Sequence, residues 1–212
     1  GLIEDRLRPL TDEDVSGILA VGGTILGSNN KCDPSSYHDP RQPGAARDAS
    51  EDCLRRILDH RIDALVIIGG DGTHAVAHRL AQRTDLNIIG VPKTIDNDLP
   101  GCDITFGFLT AVATATDALD RVHTTGRSHN RAMIVEVMGR NAGWLALYSG
   151  LASGAAVILI PEIPYDVDKI AGAIRARQAR GKRYSIVCVS EGARPTDGKP
   201  VVARVDPTSP DP

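Results

Sequence analysis

The sequence predicts an α/β fold with a parallel sheet, and three observations carry that reading. Short runs rich in Val and Ile alternate with longer amphipathic stretches, the rhythm of strand, helix and strand units. Hydrophobic residues make up 42% of the chain but aromatic ones only 3%, so the core has to be assembled from Val, Ile, Leu and Ala, as layered α/β packing does. The 212 residues suffice for one large domain or two small lobes with a sizeable core. With 24 basic and 27 acidic side chains the net charge is −3, so phosphate binding has to be local and no nucleic-acid partner is expected.

In chain order, the run Ile18 to Val21 reads as a first, weaker strand. Residues 28 to 47, rich in Pro, Asn, Ser, Asp and Gly, form a loop rather than a boundary, because the same periodic style resumes beyond them. Cys53, Leu54, Ile57 and Leu58 make a helical stripe that Ser50 is placed to cap. Buried strands are expected at Ala64 to Ile68, Asn87 to Val91, Ala132 to Val137, Ala156 to Ile160 and Ser185 to Ser190. Phe108, Val112, Leu119 and Val122 repeat at helical period, and further helices fit after Gly72, after Asn141 and from about Asp166. Residues 194 to 212 carry five prolines and little apolar content, the composition of a disordered tail.

The four cysteines, Cys32, Cys53, Cys102 and Cys188, form no CxxC pair and read as reduced, mostly buried thiols. No apolar run approaches the roughly 18 residues of a spanning helix and the amino terminus lacks a leader pattern, so a cytoplasmic protein without membrane partners is the expectation. His74 and His78 are spaced i, i+4 with no third ligand at a sensible distance, which favours a structural role. Trp144 and Met133 read as core residues.

In an open parallel sheet, ligands bind beyond the carboxyl ends of the strands, so the segments after each strand carry the chemistry. Gly69 to Thr73, GGDGT, offers backbone N–H groups and a helix start to phosphate oxygens, and Asp71 is suited to magnesium; a tight strand-to-helix turn with Asp71 capping has the same sequence. Pro92 to Asp98, PKTIDND, brings a cation, a hydroxyl and two carboxylates within seven positions. Two neighbouring acids can divide labour as base and metal partner, although a solvated acidic turn looks alike. Glu136 to Gly143 places Arg140 at a helix start, able to clamp phosphate, while Glu162 and Glu191 are suited to sugar hydroxyls, or to capping.

Taken together, AVGGTILGS at 20 to 28, IGGDGT at 68 to 73, GVPKTIDND at 90 to 98, SHNRAMIVEVMGRNAGW at 128 to 144, IPE at 160 to 162 and VSEGA at 189 to 193 resemble the phosphofructokinase family. The resemblance implies a Rossmann-like, two-lobed parallel-sheet fold over residues 1 to 193, incomplete at both ends, with a donor lobe of about 1 to 107 and a sugar-phosphate lobe of about 108 to 193. It implies phosphoryl transfer to the 1-hydroxyl of fructose 6-phosphate in glycolysis, with magnesium and a nucleotide. Asp96 would be the base, with Thr94 and Asp98 supporting the reacting groups. Met138, Gly139 and Arg140 would contact the transferring phosphate and sugar, Arg140 catalytically, and Glu191 the sugar hydroxyls. Gly70, Asp71, Gly72, Thr73 and Lys93 would bind the donor, Asp71 through magnesium. Arg131 matches an arginine that reaches the sugar phosphate of a neighbouring subunit, which implies a homodimer or homotetramer.

By the same resemblance, Gly72 favours ATP, because an Asp there marks pyrophosphate users, whereas Lys93 is similar to pyrophosphate users. Asn29, Asn30 and Lys31 stand where ATP enzymes often carry an arginine. Asp12, His123 and Ala156 replace the arginines and glutamate of the bacterial effector site, which speaks against regulation by a nucleoside diphosphate. The chain looks like the middle of a phosphofructokinase and is expected to be catalytically weak alone. The competing readings are a pyrophosphate-dependent enzyme, a nucleotide or lipid kinase sharing only GGDGT, and a non-catalytic phosphofructokinase-like fragment.

Overall fold

A computed structural model describes residues 1–29, 32–39, 41 and 44–198, and these form two compact units, one of Gly1–Val91 and one from Pro92 onward. The first unit opens with a 3-10 turn over Leu2–Glu4, followed by a short helix α1 (Asp12–Val15) started by a capping box: Asp14 N–H donates to the Thr11 hydroxyl while the Asp14 carboxylate accepts the Thr11 N–H. The expected strand at Ile18 to Val21 is instead a 3-10 turn over Ile18–Ala20, closed by Val21 N–H to the Ile18 carbonyl. Gly17 enters it at φ 75° and Leu19 is fully exposed, so this run lacks the neighbouring ladder that would hold it extended.

Helix α2 (Ser50–Asp59) buries Cys53 and Ile57 along the expected stripe, but Ser50 is its first residue rather than its cap. The Ser50 N–H is taken by the Asp48 carboxylate at 2.8 Å, a role the longer Asp side chain fills from two residues upstream. Strand β1 (Ala64–Gly69) leads into α3 (Asp71–Ala81), and β2 (Asn87–Thr94) lies beside β1. β1 is covered on one face only: its residues alternate between exposed and half-buried, with Val66 and Ile68 more than half exposed, so it is not the fully buried strand its composition predicts.

In the second unit the last residues of β2 pair in parallel with β3 (Phe106–Gly107), a two-residue strand too short to leave a sequence signal. Then follow α4 (Phe108–His129), β4 (Ala132–Val137), α5 (Trp144–Ala152), β5 (Val157–Leu159), α6 (Val167–Ala179) and β6 (Ser185–Ser190). The sheet order is β4-β6-β5, all parallel, with β6 in the centre and buried along its length. Leu119 of α4, Ala146 of α5, and Ile186 and Cys188 of β6 form the core. Helix α5 lies flush on the sheet because Gly150 has no side chain; a Cβ there would stand 2.8 Å from Ile158 Cγ1 and 3.2 Å from Cys188 Cβ.

Met133 packs against this core, whereas Trp144 is 42% exposed and stacks edge-on against Tyr148 instead of being buried. His123 bonds the Ser153 carbonyl at 2.9 Å and the Tyr184 hydroxyl at 3.3 Å. The cysteines are free thiols, Cys53 and Cys188 buried and Cys32 exposed. At the front of the expected tail, Tyr165 pairs with Pro195 and exchanges backbone hydrogen bonds of 2.9 Å with Arg194 and Thr196, so 194–198 are held in place; 199–212 lie outside the described residues. Among the described residues no helix is long and apolar enough to cross a membrane.

Leu119, wholly buried, is expected to cost about 3 kcal/mol of stability when cut to alanine, by lost transfer energy and the cavity left behind. Leu58→Ala on α2, where the side chain is 76% exposed, should stay within about 0.5 kcal/mol. Urea unfolding of the two variants makes the comparison, and equal losses would misplace the core.

Candidate active site

The glycine loop of the first unit is built by β1 and α3. Gly69 ends β1 directly under Thr73, whose side chain would collide with any Cβ at 69. Gly70 is the extended N-cap, and α3 begins at Asp71, with no side chain capping it. The first N–H groups of a helix have no partner within it, so this turn presents backbone donors at the positive end of α3. His74 locks the turn. Its backbone N–H and its ring Nδ1 both reach the Gly70 carbonyl, at 3.1 and 2.8 Å, and since a carbonyl only accepts, Nδ1 carries a proton. The rest of the imidazole lies against β2, where a Cβ on Gly90 would stand 2.7 Å from the ring, so GGDGT and the glycine that opens GVPKTIDND are coupled through His74.

Asp71, Gly72 and Thr73 are exposed, and a Cβ built on Gly72 meets nothing within 4 Å. No group of three His, Cys, Asp or Glu that could hold a metal occurs among the described residues. A single open carboxylate beside unpaired helix amides still fits a magnesium ion of the kind bound by one or two carboxylates and otherwise by phosphate oxygens.

The second unit holds the acidic cluster. After β2, Asp96 N–H donates to the Thr94 hydroxyl at 3.1 Å, and the chain turns through Asn97 at φ 54°. Asn97 is the clamp of this turn: its carbonyl oxygen accepts the Thr105 N–H at 2.8 Å and its amide nitrogen donates to the Asp103 carbonyl at 3.3 Å. Thr105, almost wholly buried, donates in turn to the Thr94 carbonyl at 2.8 Å. Sequence reasoning missed both Asn97 and Thr105; the asparagine between two aspartates, a residue type that tolerates positive φ, was the available signal. Lys93 and Thr94 are consecutive on β2 and point to opposite faces, so Lys93, exposed, does not share the Thr94 side.

Asp96 Oδ1 is buried and has no hydrogen-bond partner among the described residues. Burial raises its pKa above the ordinary carboxylate value, and the charges of Asp98 and Glu191 push it further the same way. Glu191 belongs to the turn after β6. The parallel register sets Val137 of β4 opposite Ser190 of β6, so the two following loops start side by side. Glu191 N–H bonds the Val137 carbonyl at 2.9 Å and its carboxylate faces the Gly139 N–H at 3.4 Å. The Gly139 carbonyl accepts from Gly192 N–H at 3.1 Å and from the Ser190 hydroxyl. Gly139 adopts φ 129°, and Gly192 lies so close to the Arg140 carbonyl that neither position admits a Cβ.

Met138, Arg140 and Glu191 are thus gathered, exposed, at the carboxyl ends of β4 and β6. Arg140 sits in the loop four residues ahead of α5 rather than at the helix start, because α5 begins only at Trp144. Glu162 faces the backbone: its carboxylate accepts the Gly143 N–H at 2.8 Å. Arg131 stands apart, at the opposite end of β4, where its N–H bonds the Gly126 carbonyl.

Comparison with known proteins puts this arrangement in context. The sequence model described as Phosphofructokinase matches residues 1–208. An "ATP-dependent 6-phosphofructokinase 2" of Clostridium perfringens is 50% identical over 214 residues, covering 100% of this chain and 58% of that protein. The Pichia pastoris phosphofructokinase crystal structure in the T-state superposes with a TM-score of 0.79 at 32% identity, over 91% of this chain and 22% of that one. A pyrophosphate-dependent phosphofructokinase of Marinobacter aquaeolei gives a TM-score of 0.64 at 29% identity, over 76% and 44% of the two chains. The chain spans little more than half the length of the curated relatives it matches.

Because the folded-state pKa of Asp96 lies above its unfolded value, its ionisation weakens the fold at neutral pH, and the penalty vanishes as pH falls through the folded-state pKa. Asp96→Asn is therefore expected to increase resistance to urea at about pH 7 and to leave it unchanged near pH 3, below the ordinary range of the carboxyl. A loss of stability at neutral pH would show that the buried oxygen is compensated.

Proposed function

The chain belongs to the phosphofructokinase family, and from that premise we propose that it transfers a phosphoryl group from ATP to the 1-hydroxyl of fructose 6-phosphate, giving fructose 1,6-bisphosphate in cytoplasmic glycolysis. The observation that carries the proposal is Asp96: a buried carboxylate oxygen without a partner, its pKa raised, on a turn clamped by Asn97 and Thr105. Such a group accepts a proton from an incoming hydroxyl better than an ordinary carboxylate, because the charge it loses is one its surroundings disfavour.

In this mechanism Asp96 takes the proton of the attacking hydroxyl, while Thr94 and Asp98 support the reacting groups. Arg140 offsets the charge on the transferring phosphoryl group, and Met138, Gly139 and Glu191 hold the sugar. Gly70, Gly72 and Thr73 present backbone N–H groups to the donor phosphates. Asp71 would hold magnesium, which when bound neutralises phosphate charge. Arg131, on the far end of β4, is assigned to the sugar 6-phosphate of a neighbouring subunit, in a homodimer or homotetramer.

The donor reading rests on Gly72. The fold leaves room for a side chain there, so the bare backbone is suited to the close approach of a nucleotide. The relative at 50% identity is named ATP-dependent and the pyrophosphate-dependent one lies at 29%, which supports the same reading. Lys93 supports the alternative, a pyrophosphate donor.

Asp96→Asn is expected to lower kcat by a factor on the order of 10² or more while leaving fructose 6-phosphate binding nearly intact. Steady-state kinetics and a binding titration decide it, and an unchanged kcat removes Asp96 from the chemical step. Gly72→Asp is expected to raise the KM for ATP by steric block and repulsion without loss of folding, since the new Cβ meets open space. Turnover of the unmutated protein with pyrophosphate but not ATP would overturn the donor reading.

A further inference from the structure

The structure assigns Glu162 a positioning role: its carboxylate anchors the downstream end of the loop that carries Arg140. This inference rests on the phosphoryl-transfer reading above and adds a residue to it. Glu162 is the third residue of the turn after β5, closed by Ile163 N–H to the Ile160 carbonyl at 3.3 Å, with Pro161 at the second position fixing the backbone. From that turn the carboxylate reaches 19 positions back in sequence to accept the Gly143 N–H at 2.8 Å. Gly143 is buried and is the N-cap of α5, so its N–H has no helical partner and Glu162 is the acceptor that satisfies it. The carboxylate also stands at the positive end of the helix.

The contact is tight. A Cβ on Gly143 would collide with the Ile160 side chain and stand 2.7 Å from the second carboxylate oxygen of Glu162. The upstream end of the same loop is fastened separately, where Gly139 bonds Glu191, Ser190 and Gly192. Only Arg140, Asn141 and Ala142 span the gap between the two anchors. With the Glu162 bond removed, Gly143 stays tied to α5 through its carbonyl, which accepts the Leu147 N–H at 2.9 Å, but its buried N–H loses its acceptor and the downstream end of the loop can shift. Small displacements of a group that meets a transferring phosphate are costly in rate. Glu162 therefore serves the backbone through this carboxylate oxygen.

The test uses Glu162→Ala and Glu162→Gln in the intact protein. Trp144, the only tryptophan of the chain, directly follows Gly143 and reports the anchor independently of activity. The alanine variant should lower kcat/KM for fructose 6-phosphate roughly tenfold or more. Its KM for ATP should stay within about twofold, and acrylamide should quench Trp144 more strongly. Glutamine keeps an acceptor oxygen at the same reach and should restore most of both. Glu162→Asp, shorter by one methylene, should fall between them and serves if the alanine variant does not fold. A lower melting temperature with both KM values, kcat and Trp144 quenching unchanged would overturn the inference, leaving Glu162 a stabilising cap only. If the unmutated protein fails to phosphorylate fructose 6-phosphate, the functional reading falls, and Trp144 quenching alone decides whether Glu162 holds the loop.

Discussion

The parallel pairing of β4 with β6 is the constraint from which the acidic cluster of the second unit follows. Ala132 opposite Ser185 and Val137 opposite Ser190 bring both strands to an end at the same level, so the chain segments after them leave the sheet side by side. Main-chain contact between those segments is then unavoidable, and only residues without side chains can make it. That is why glycine stands at 139 and 192, where a Cβ would strike the Ser190 hydroxyl, the Ala142 carbonyl or the Arg140 carbonyl. Once the two backbones touch, Glu191 reaches the Gly139 N–H and its charge reaches Asp96, and the exposed side chains of Met138 and Arg140 are set beside them. A register slip of one residue would turn Ile186 and Cys188 out of the core and dissolve the arrangement with it.

Asp96 shows what such a site costs. A half-buried carboxylate with one buried oxygen that has no partner among the described residues, and with two other acids acting on it, opposes folding at neutral pH. It is held in place by bonds that do not touch its carboxylate: Thr105 to Asn97, Thr105 to the Thr94 carbonyl, and its own N–H to the Thr94 hydroxyl. The turn is over-determined by neutral groups so that one ionisable group can remain unsatisfied.

Which parts were legible in the sequence follows from the range of the forces involved. The strands at Ala132 to Val137 and Ser185 to Ser190 agree with their runs in extent, because β-branched content is a local signal, but only β6 is buried as expected, whereas β4 alternates exposed and half-buried with Ile134 72% exposed. The helices from Phe108 and near Asp166 were legible for the same reason. Beyond local reach the reading thinned. Of the two roles the sequence leaves open for Glu162, sugar hydroxyls or capping, the structure shows the carboxylate on an N–H 19 positions away at the start of α5, and the Asn97 to Thr105 clamp depends on a two-residue strand that carries no pattern of its own. At α2 the helix starts one residue earlier than expected, so Ser50 is its first residue and its N–H bonds the Asp48 carboxylate, and Ile18 to Val21 had strand composition without a partner ladder.

The glycines separate these cases physically. At Gly69, Gly90, Gly139, Gly143 and Gly192 an added methyl group would run into an atom the fold has already placed, so packing alone demands the residue. At Gly72 it would meet nothing, and the backbone there is helical with no positive φ to accommodate. Gly72 is the second residue of α3, so its backbone lies in the first turn, where the fold neither demands glycine nor excludes a side chain. Packing within the unit therefore does not account for the glycine at 72. The charge that this turn can accept is negative, since it offers unpaired N–H groups and a positive dipole end, and the one carboxylate beside it, Asp71, needs a cation between itself and any anion there. The first turn of α3 thus has the physical character of an anion site, and the exposed Asp71 beside it that of a cation ligand, which is what the proposed donor reading requires of this loop.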